Sequence, residues 1–189
     1  AIRALPENRR LIGLLGVTFA MNFLFFSYMP LVPVFARRYD VGPMLTGVLA
    51  SGSGIGMMLG SLAVARLNPQ RRGLVYVGGS FTAMIGVIAF AAMHVYPLAL
   101  AMLVLVGASS AGFGSTQSAL VMSVTSQEMR GRAMGLLSMT IGALPFGMLL
   151  LGLVTERTGP ATAVMISSGT GIVFLVIWLI RYPEILDIR

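Results

Sequence analysis

The chain has 189 residues, of which 57% are hydrophobic and 10% charged, with a mean hydropathy of +0.90. Soluble domains carry nearer a quarter charged residues, so this composition excludes an ordinary globular fold and indicates an integral membrane protein. The formal charge of +7 comes from arginines set in short gaps between apolar runs, which argues for membrane topology and against nucleic-acid binding. Cysteine is absent and His94 is the single histidine, which excludes disulfides, thiolate sites and multi-histidine metal centres, so no metal or cofactor is expected.

In chain order the sequence predicts six membrane spans, at about 11–36, 41–65, 73–93, 97–124, 133–155 and 158–180, within a single domain covering 1–189. The fold class is therefore all-α, a bundle of six transmembrane helices. Span one is uncharged between Arg10 and Arg37, is too long for a signal-peptide core, and should kink or end near Pro30 and Pro33. Thr18, Asn22, Phe25 and Met29 share one of its stripes. The second span carries Gly52, Gly56 and Gly60 at intervals of four, a pattern that lets two helix backbones approach closely. A short turn at His94, Tyr96 and Pro97 joins spans three and four, and His94 reads as an interfacial residue.

The fourth span is the most informative. Nothing from Val95 to Ser126 is charged, yet its middle reads GASSAGFGSTQS. So many polar groups need partners in protein or in a water-filled cavity, since hydrocarbon offers none. At 100° per residue Ser110, Phe113, Gly114 and Gln117 share a face, which should look at protein or at a substrate path. Asn22 and Gln117 are the deepest amides by position; each either ties helices together or contacts a ligand. The fifth span contains Gly142, Pro145 and Gly147, which predict a break near mid-membrane. The sixth is almost uniformly aliphatic or aromatic toward its end, and the numerous methionines read as core and cavity filler.

The arginines set the orientation. With the N-terminus inside, ten of the 13 (Arg3, Arg9, Arg10, Arg66, Arg71, Arg72, Arg130, Arg132, Arg181 and Arg189) lie inside, against Arg37, Arg38 and Arg157 outside. Both termini are therefore expected in the cytoplasm, in a multi-pass protein of the cell (inner) membrane. In the connector before span five, Thr125 is placed to cap the helix while Glu128 reaches back to the cap's own amide.

Two connectors together carry a resemblance to a known family. Glu128, Arg130, Gly131, Arg132 and Gly135 form an E-x-R-G-R-x-x-G stretch between spans four and five. Gly152, Glu156, Arg157, Gly159 and Pro160 form a G-x-x-x-E-R-x-G-P stretch between five and six. With six spans and both ends inside, the chain resembles one six-helix half of a Major Facilitator Superfamily transporter, a 3+3 inverted repeat. The half is expected to be the C-terminal one. The acidic signature usual in the N-terminal half is here Gly60-Ser61-Leu62-Ala63-Val64, with Val64 in the acidic position. The opening LPENRR and the closing RYPEILDIR resemble the linker and tail of bacterial drug and siderophore exporters.

The resemblance implies that spans one and four line a central cavity, that two and five form the moving interface with a missing N-terminal half, and that three and six face lipid. It makes Thr18, Asn22, Phe25, Met29, Ser110, Phe113, Gly114 and Gln117 the substrate-cavity candidates. Gly52, Gly56, Gly60, Gly142, Pro145 and Gly147 become packing or interface candidates. The implied function is transport of a small organic molecule, by export and alternating access, with protons as a candidate coupling ion and no enzymatic step. The implied partners are the lipid bilayer, the other six-helix half and the small-molecule substrate. The lack of a carboxylate or basic residue inside any span would place a titrating acid in the other half. An intramembrane serine protease fits poorly, because His94 is not placed to activate a serine, and a channel would show charge rings or a repeated filter. A non-transporting membrane scaffold or sensor on the same fold is the remaining alternative.

Overall fold

The structure, a computed structural model, describes residues 8–67 and 69–188, so Arg3, Arg189 and the first residues of the LPENRR opening lie outside the described residues. Six helices are long and apolar enough to cross a membrane: α1 (Arg9–Tyr39), α2 (Pro43–Leu67), α3 (Arg72–Ala92), α4 (Tyr96–Ser123), α5 (Gln127–Thr158) and α6 (Pro160–Arg181). Connectors of a few residues force consecutive helices to run in opposite directions. Asp40 in the left-handed region makes the α1–α2 turn, and Gly159, at φ 83°, makes the α5–α6 turn, where a side chain would be strained.

The packing order is that of two interleaved triplets. α4 lies between α2 and α3, α1 touches α5 and α6, and α3 packs on α6 across the middle. α1 is the most enclosed helix, while α2 and α5 are the least. The tightest approach is between α2 and α4. A Cβ on Gly56 would run into the Val104 carbonyl, one on Gly60 into that of Ala108, and one on Gly107 into that of Ser53. The stripe Gly52, Gly56, Gly60 is thus buried inside the bundle, against α4. On its other side α4 meets α3 the same way, through Gly79 against Ser109 and Gly112 against Val75.

Two helices are irregular. α1 is α-helical only to Ala20; Met21–Phe25 is a π turn and Phe26–Leu31 a tight 3₁₀ segment, before a short α-helix at Val32–Ala36. The irregularity begins well before Pro30, and Pro33 sits in the first turn of the final segment, where its missing N–H costs nothing. α5 is interrupted at Gly142 and Ala143, between Arg130–Ile141 and Leu144–Thr158. The two irregular regions meet, since Gly147 lies against the Phe23 backbone. Ser167 of α6 adds a hydroxyl bond to the Leu24 carbonyl at 2.7 Å.

At the α4–α5 connector the expected capping box does not form. The Thr125 hydroxyl donates back to the Val121 carbonyl at 2.6 Å, satisfying an orphan acceptor at the end of α4. Ser126 takes the cap position without a side-chain bond. Asn8 instead does double duty at the bundle's end. Its Oδ1 accepts from the Leu11 amide at 3.0 Å and its Nδ2 donates to the Val124 carbonyl at 2.7 Å, tying the start of α1 to the end of α4.

Past α6 the chain turns back under the bundle. Ile185 and Ile188 are buried, the Ile188 carbonyl accepts from the Gly73 amide at 2.9 Å, and Gly13 and Gly73 leave the space that Ile185 fills. Arg9 pairs with Glu184 at 2.7 Å and also donates to the Arg181 carbonyl.

Candidate functional site

The buried polar side chains converge where α1, α3 and α4 meet. Thr18 is fully buried, and its Oγ1 lies 2.7 Å from the Tyr76 hydroxyl of α3 and 3.1 Å from Gln117 Nε2 of α4. Both hydroxyls also lie within reach of the Leu14 carbonyl, at 3.0 Å for Thr18 and 3.1 Å for Tyr76. Asn22, one turn on, is buried and donates to the Thr18 carbonyl at 2.9 Å.

Proton counting fixes the orientation of the Gln117 amide. Two hydroxyl protons serve the trio of Thr18, Tyr76 and the Leu14 carbonyl, and a carbonyl only accepts. With Gln117 donating, the cluster makes three hydrogen bonds: one between the hydroxyls, one to Leu14 and one from the amide. Reversing the amide makes Thr18 spend its proton on Gln117 and leaves two. The carboxamide oxygen of Gln117 is thereby turned away from the cluster, free to accept from elsewhere. Below this group Phe113 stacks on the Tyr76 ring, with centroids 5.1 Å apart and planes 22° from parallel.

The candidates separate into those the fold brings together and those it does not. Thr18, Asn22 and Gln117 form one hydrogen-bonded group, with Phe113 against it. Ser110 is buried, but its hydroxyl donates to the Gly107 carbonyl of its own helix at 2.9 Å, outside the group. Gln117 is half-buried and borders an open surface of α4 at Gly114 and Ser118. Phe25 is buried against Phe26 and Tyr28, whereas Met29 is 47% exposed. The π turn accounts for the split. Its i→i+5 bonding holds more residues than an α turn, so whatever follows rotates off the stripe that Thr18 and Asn22 begin. What α1 exposes is instead apolar, with Phe19 stacked on Phe23 and then Met29 and Val34.

Tyr76 was not among the residues singled out by sequence. A signal existed: Gly73, Tyr76, Ser80 and Ala83 repeat at helical spacing on α3, and all are buried. The Ser80 hydroxyl donates to the Tyr76 carbonyl at 2.8 Å. The connector residues sit elsewhere. Glu128, Arg130, Gly131, Arg132 and Gly135 are exposed along the start of α5, and Gly152, Glu156, Arg157 and Gly159 lie at its other end. Pro145, Gly152 and Glu156 line a shallow groove there.

A family model described as Major Facilitator Superfamily matches residues 14–186, from within the first turns of α1 through α6 to the tail turn. The chain belongs to the Major Facilitator Superfamily. Membership of this superfamily makes it a membrane transport protein, and the six-helix bundle corresponds to one transporter half. A search of curated proteins finds no match. Among the described residues, Thr18, Tyr76 and Gln117 form a side chain–side chain hydrogen-bonded group that links three of the spanning helices. It lies between α1 and α4, the pair that the family resemblance assigned to a cavity wall.

Proposed function

We propose that the chain is the C-terminal half of an exporter of the drug or siderophore efflux type, sitting in the inner membrane with both termini in the cytoplasm. It works against an N-terminal six-helix half, and its substrate is a small neutral or amphipathic organic molecule. The observation that carries this reading is the character of the interior. The described middles of all six helices are free of charge, and the polar groups that α1 and α4 share are hydroxyls and amides. Such a surface suits hydrogen bonding to an uncharged group, whereas a small anion would call for a buried arginine.

Gln117 is the residue best placed to meet substrate, because its carboxamide oxygen is uncommitted and its helix is open beside it at Gly114. Asn22 and Thr18 support it from behind. Alternating access would then rock this bundle against its partner half about a midplane site. Any proton-coupling acid would reside in that half.

The test is flux. Vesicles carrying the full-length protein should accumulate or release a fluorescent amphipathic dye when a proton gradient is imposed, and Gln117→Leu should raise the apparent KM with expression unchanged. Saturable, substrate-dependent flux supports the transporter reading. Its absence across a panel of amphipathic compounds, in protein that is folded, would favour a non-transporting scaffold or sensor.

A further inference from the structure

The break in α5 opens a groove that the rest of the fold does not fill. Only the second half of α5 packs closely on α6; the first half leans on α1, so the two helices diverge toward the membrane face that carries both ends of the bundle. The wedge between them has a volume of about 470 Å³. Ile12, Leu15 and Phe19 of α1 form its floor, Leu136 of α5 one wall, and Phe174 and Trp178 of α6 the other. The lining also includes Thr140, whose hydroxyl is committed to the Leu137 carbonyl at 2.7 Å, so it offers a polar ligand no free donor. Trp178 likewise spends its N–H on the Gly13 carbonyl at 3.0 Å. From Ile12 to Phe19 the floor runs about 10 Å along the helix axis, a depth that stays within one leaflet of a ~30 Å hydrocarbon layer.

The walls end in arginine. One turn from Leu136 on the same face of α5 stands Arg132, and one turn beyond Trp178 on α6 stands Arg181. Both are exposed and neither forms an ion pair among the described residues; Arg132 approaches the Met129 sulfur and Arg181 lies over the Tyr182 ring. Arg10 of α1 is exposed beside the floor. Of the described acidic groups on this face, Glu184 is taken by Arg9, Glu128 lies on the connector one turn before Arg132, and Asp187 is exposed on the tail six residues past Arg181.

The geometry points to a lipid site: the wedge holds an acyl chain of an anionic phospholipid whose headgroup phosphate is met at the rim by Arg132 and Arg181. An apolar slot alone would accept any lipid, and the arginines supply the selection. Each is worth about a five-fold preference for an anionic headgroup. A lipid seated here would support the inner segment of α5 on the side where α6 leaves it.

Trp178 supplies the probe, because it is the single tryptophan of the chain and lines the wedge. Full-length protein bearing Trp178 as its only tryptophan is reconstituted in phosphatidylcholine bilayers containing phosphatidylglycerol. Bromine is carried on the acyl chains of one lipid or the other. Brominated phosphatidylglycerol is expected to quench Trp178 several-fold beyond its mole fraction. That excess should vanish in Arg132→Gln/Arg181→Gln and persist in Arg132→Lys/Arg181→Lys. Leu136→Phe should lower quenching by both lipids, by filling the slot. Quenching that follows mole fraction whatever the headgroup would leave only bulk lipid at this surface and overturn the site. No quenching by either lipid would overturn it too, showing the wedge covered by protein, either the other half or a second copy.

Discussion

α2 and α5 occupy matching places in the two triplets, yet they are held in opposite ways. α2 is one unbroken helix in which Gly56 and Gly60 lie backbone to backbone against α4, while Gly52, one turn before, meets the Leu100 and Leu103 side chains. α5 is two segments joined at Gly142, and its close glycine contact is with α1, at Gly147 against Phe23. Where the second segment of α5 touches α1, that helix too has left α-geometry. The contrast shows how one bundle can be both firm and pliable. Without a hydrophobic drive between helices in lipid, stability comes from close packing, and a small-residue seam supplies it along α2–α4. The α1–α5 contact lacks such a seam and carries the two irregular segments that can absorb a bend.

The largest effect is expected from blocking the firm side. Gly56→Leu places a side chain where the Val104 carbonyl stands, and backbone cannot step aside as a flexible side chain would. Overpacking typically costs 1–3 kcal/mol and here should reach about 3 or more. In detergent, the fraction of monodisperse protein should collapse and its thermal transition should fall steeply. The same change at Gly54, which has open space around it, should do little. Equal loss at both positions would mean that the seam is not what holds α2.

The pliable side should answer in the opposite sense. Gly142 has φ −61°, which any residue adopts, and a Cβ there meets only its own helix's carbonyls at 3.3 Å and beyond. Gly142→Ala should raise stability by about 0.5–1 kcal/mol through the unfolded state, while slowing flux in the full-length transporter. Gly147→Ala, which meets the Phe23 backbone, should instead destabilise. If Gly142→Ala leaves turnover unchanged, the break is not a working hinge.

The buried polar group lies between these extremes. Tyr76→Phe keeps the stack on Phe113 and removes one hydroxyl, so its cost should be that of one intramembrane hydrogen bond, about 0.6–1.7 kcal/mol. If Gln117 contacts substrate through an oxygen that this network orients, the variant should raise KM more than it lowers kcat. A uniform loss of folded protein with unchanged KM would make the group structural only.

How much of this was legible in the sequence follows from where the signal lies. The six spans and their connectors were readable because charge is confined to the gaps, and the two connector motifs sufficed to name the family. The break at Gly142 was readable because glycine and proline mark it. The π turn in α1 was not, since Met21 to Phe25 holds neither glycine nor proline, and its one polar residue, Asn22, does not by itself mark a π turn; the expectation fell on Pro30 instead. Tyr76 was missed because α3 was assigned to lipid as a whole, which hid one buried face of a helix otherwise greasy. The capping box failed for a local reason: the Thr125 hydroxyl donates instead to the Val121 carbonyl four residues back, at the end of α4.

The smallest effect is expected at the tail, where the pairing is exposed to water. The Glu184 carboxyl is held below the ordinary carboxylate range, first by a bond from its own backbone amide and then by Arg9. A carboxyl whose folded value is depressed stabilises the fold above its unfolded value, and the gain is lost as pH falls through the folded one. The tail should therefore be fully clasped at neutral pH and begin to loosen only below the usual range for glutamate, about pH 4. The partners are 41% and 38% exposed, so salt and water screen them and the global melting temperature should barely move. Amide hydrogen exchange at Gly73, whose N–H donates to the Ile188 carbonyl, is the sensitive readout. Its protection should drop on acidification in the wild type, while Glu184→Gln should start lower and show little further change. Protection at Gly73 that is equal in both proteins across that range would mean that Ile185, buried under Gly13, holds the tail without help from the ion pair.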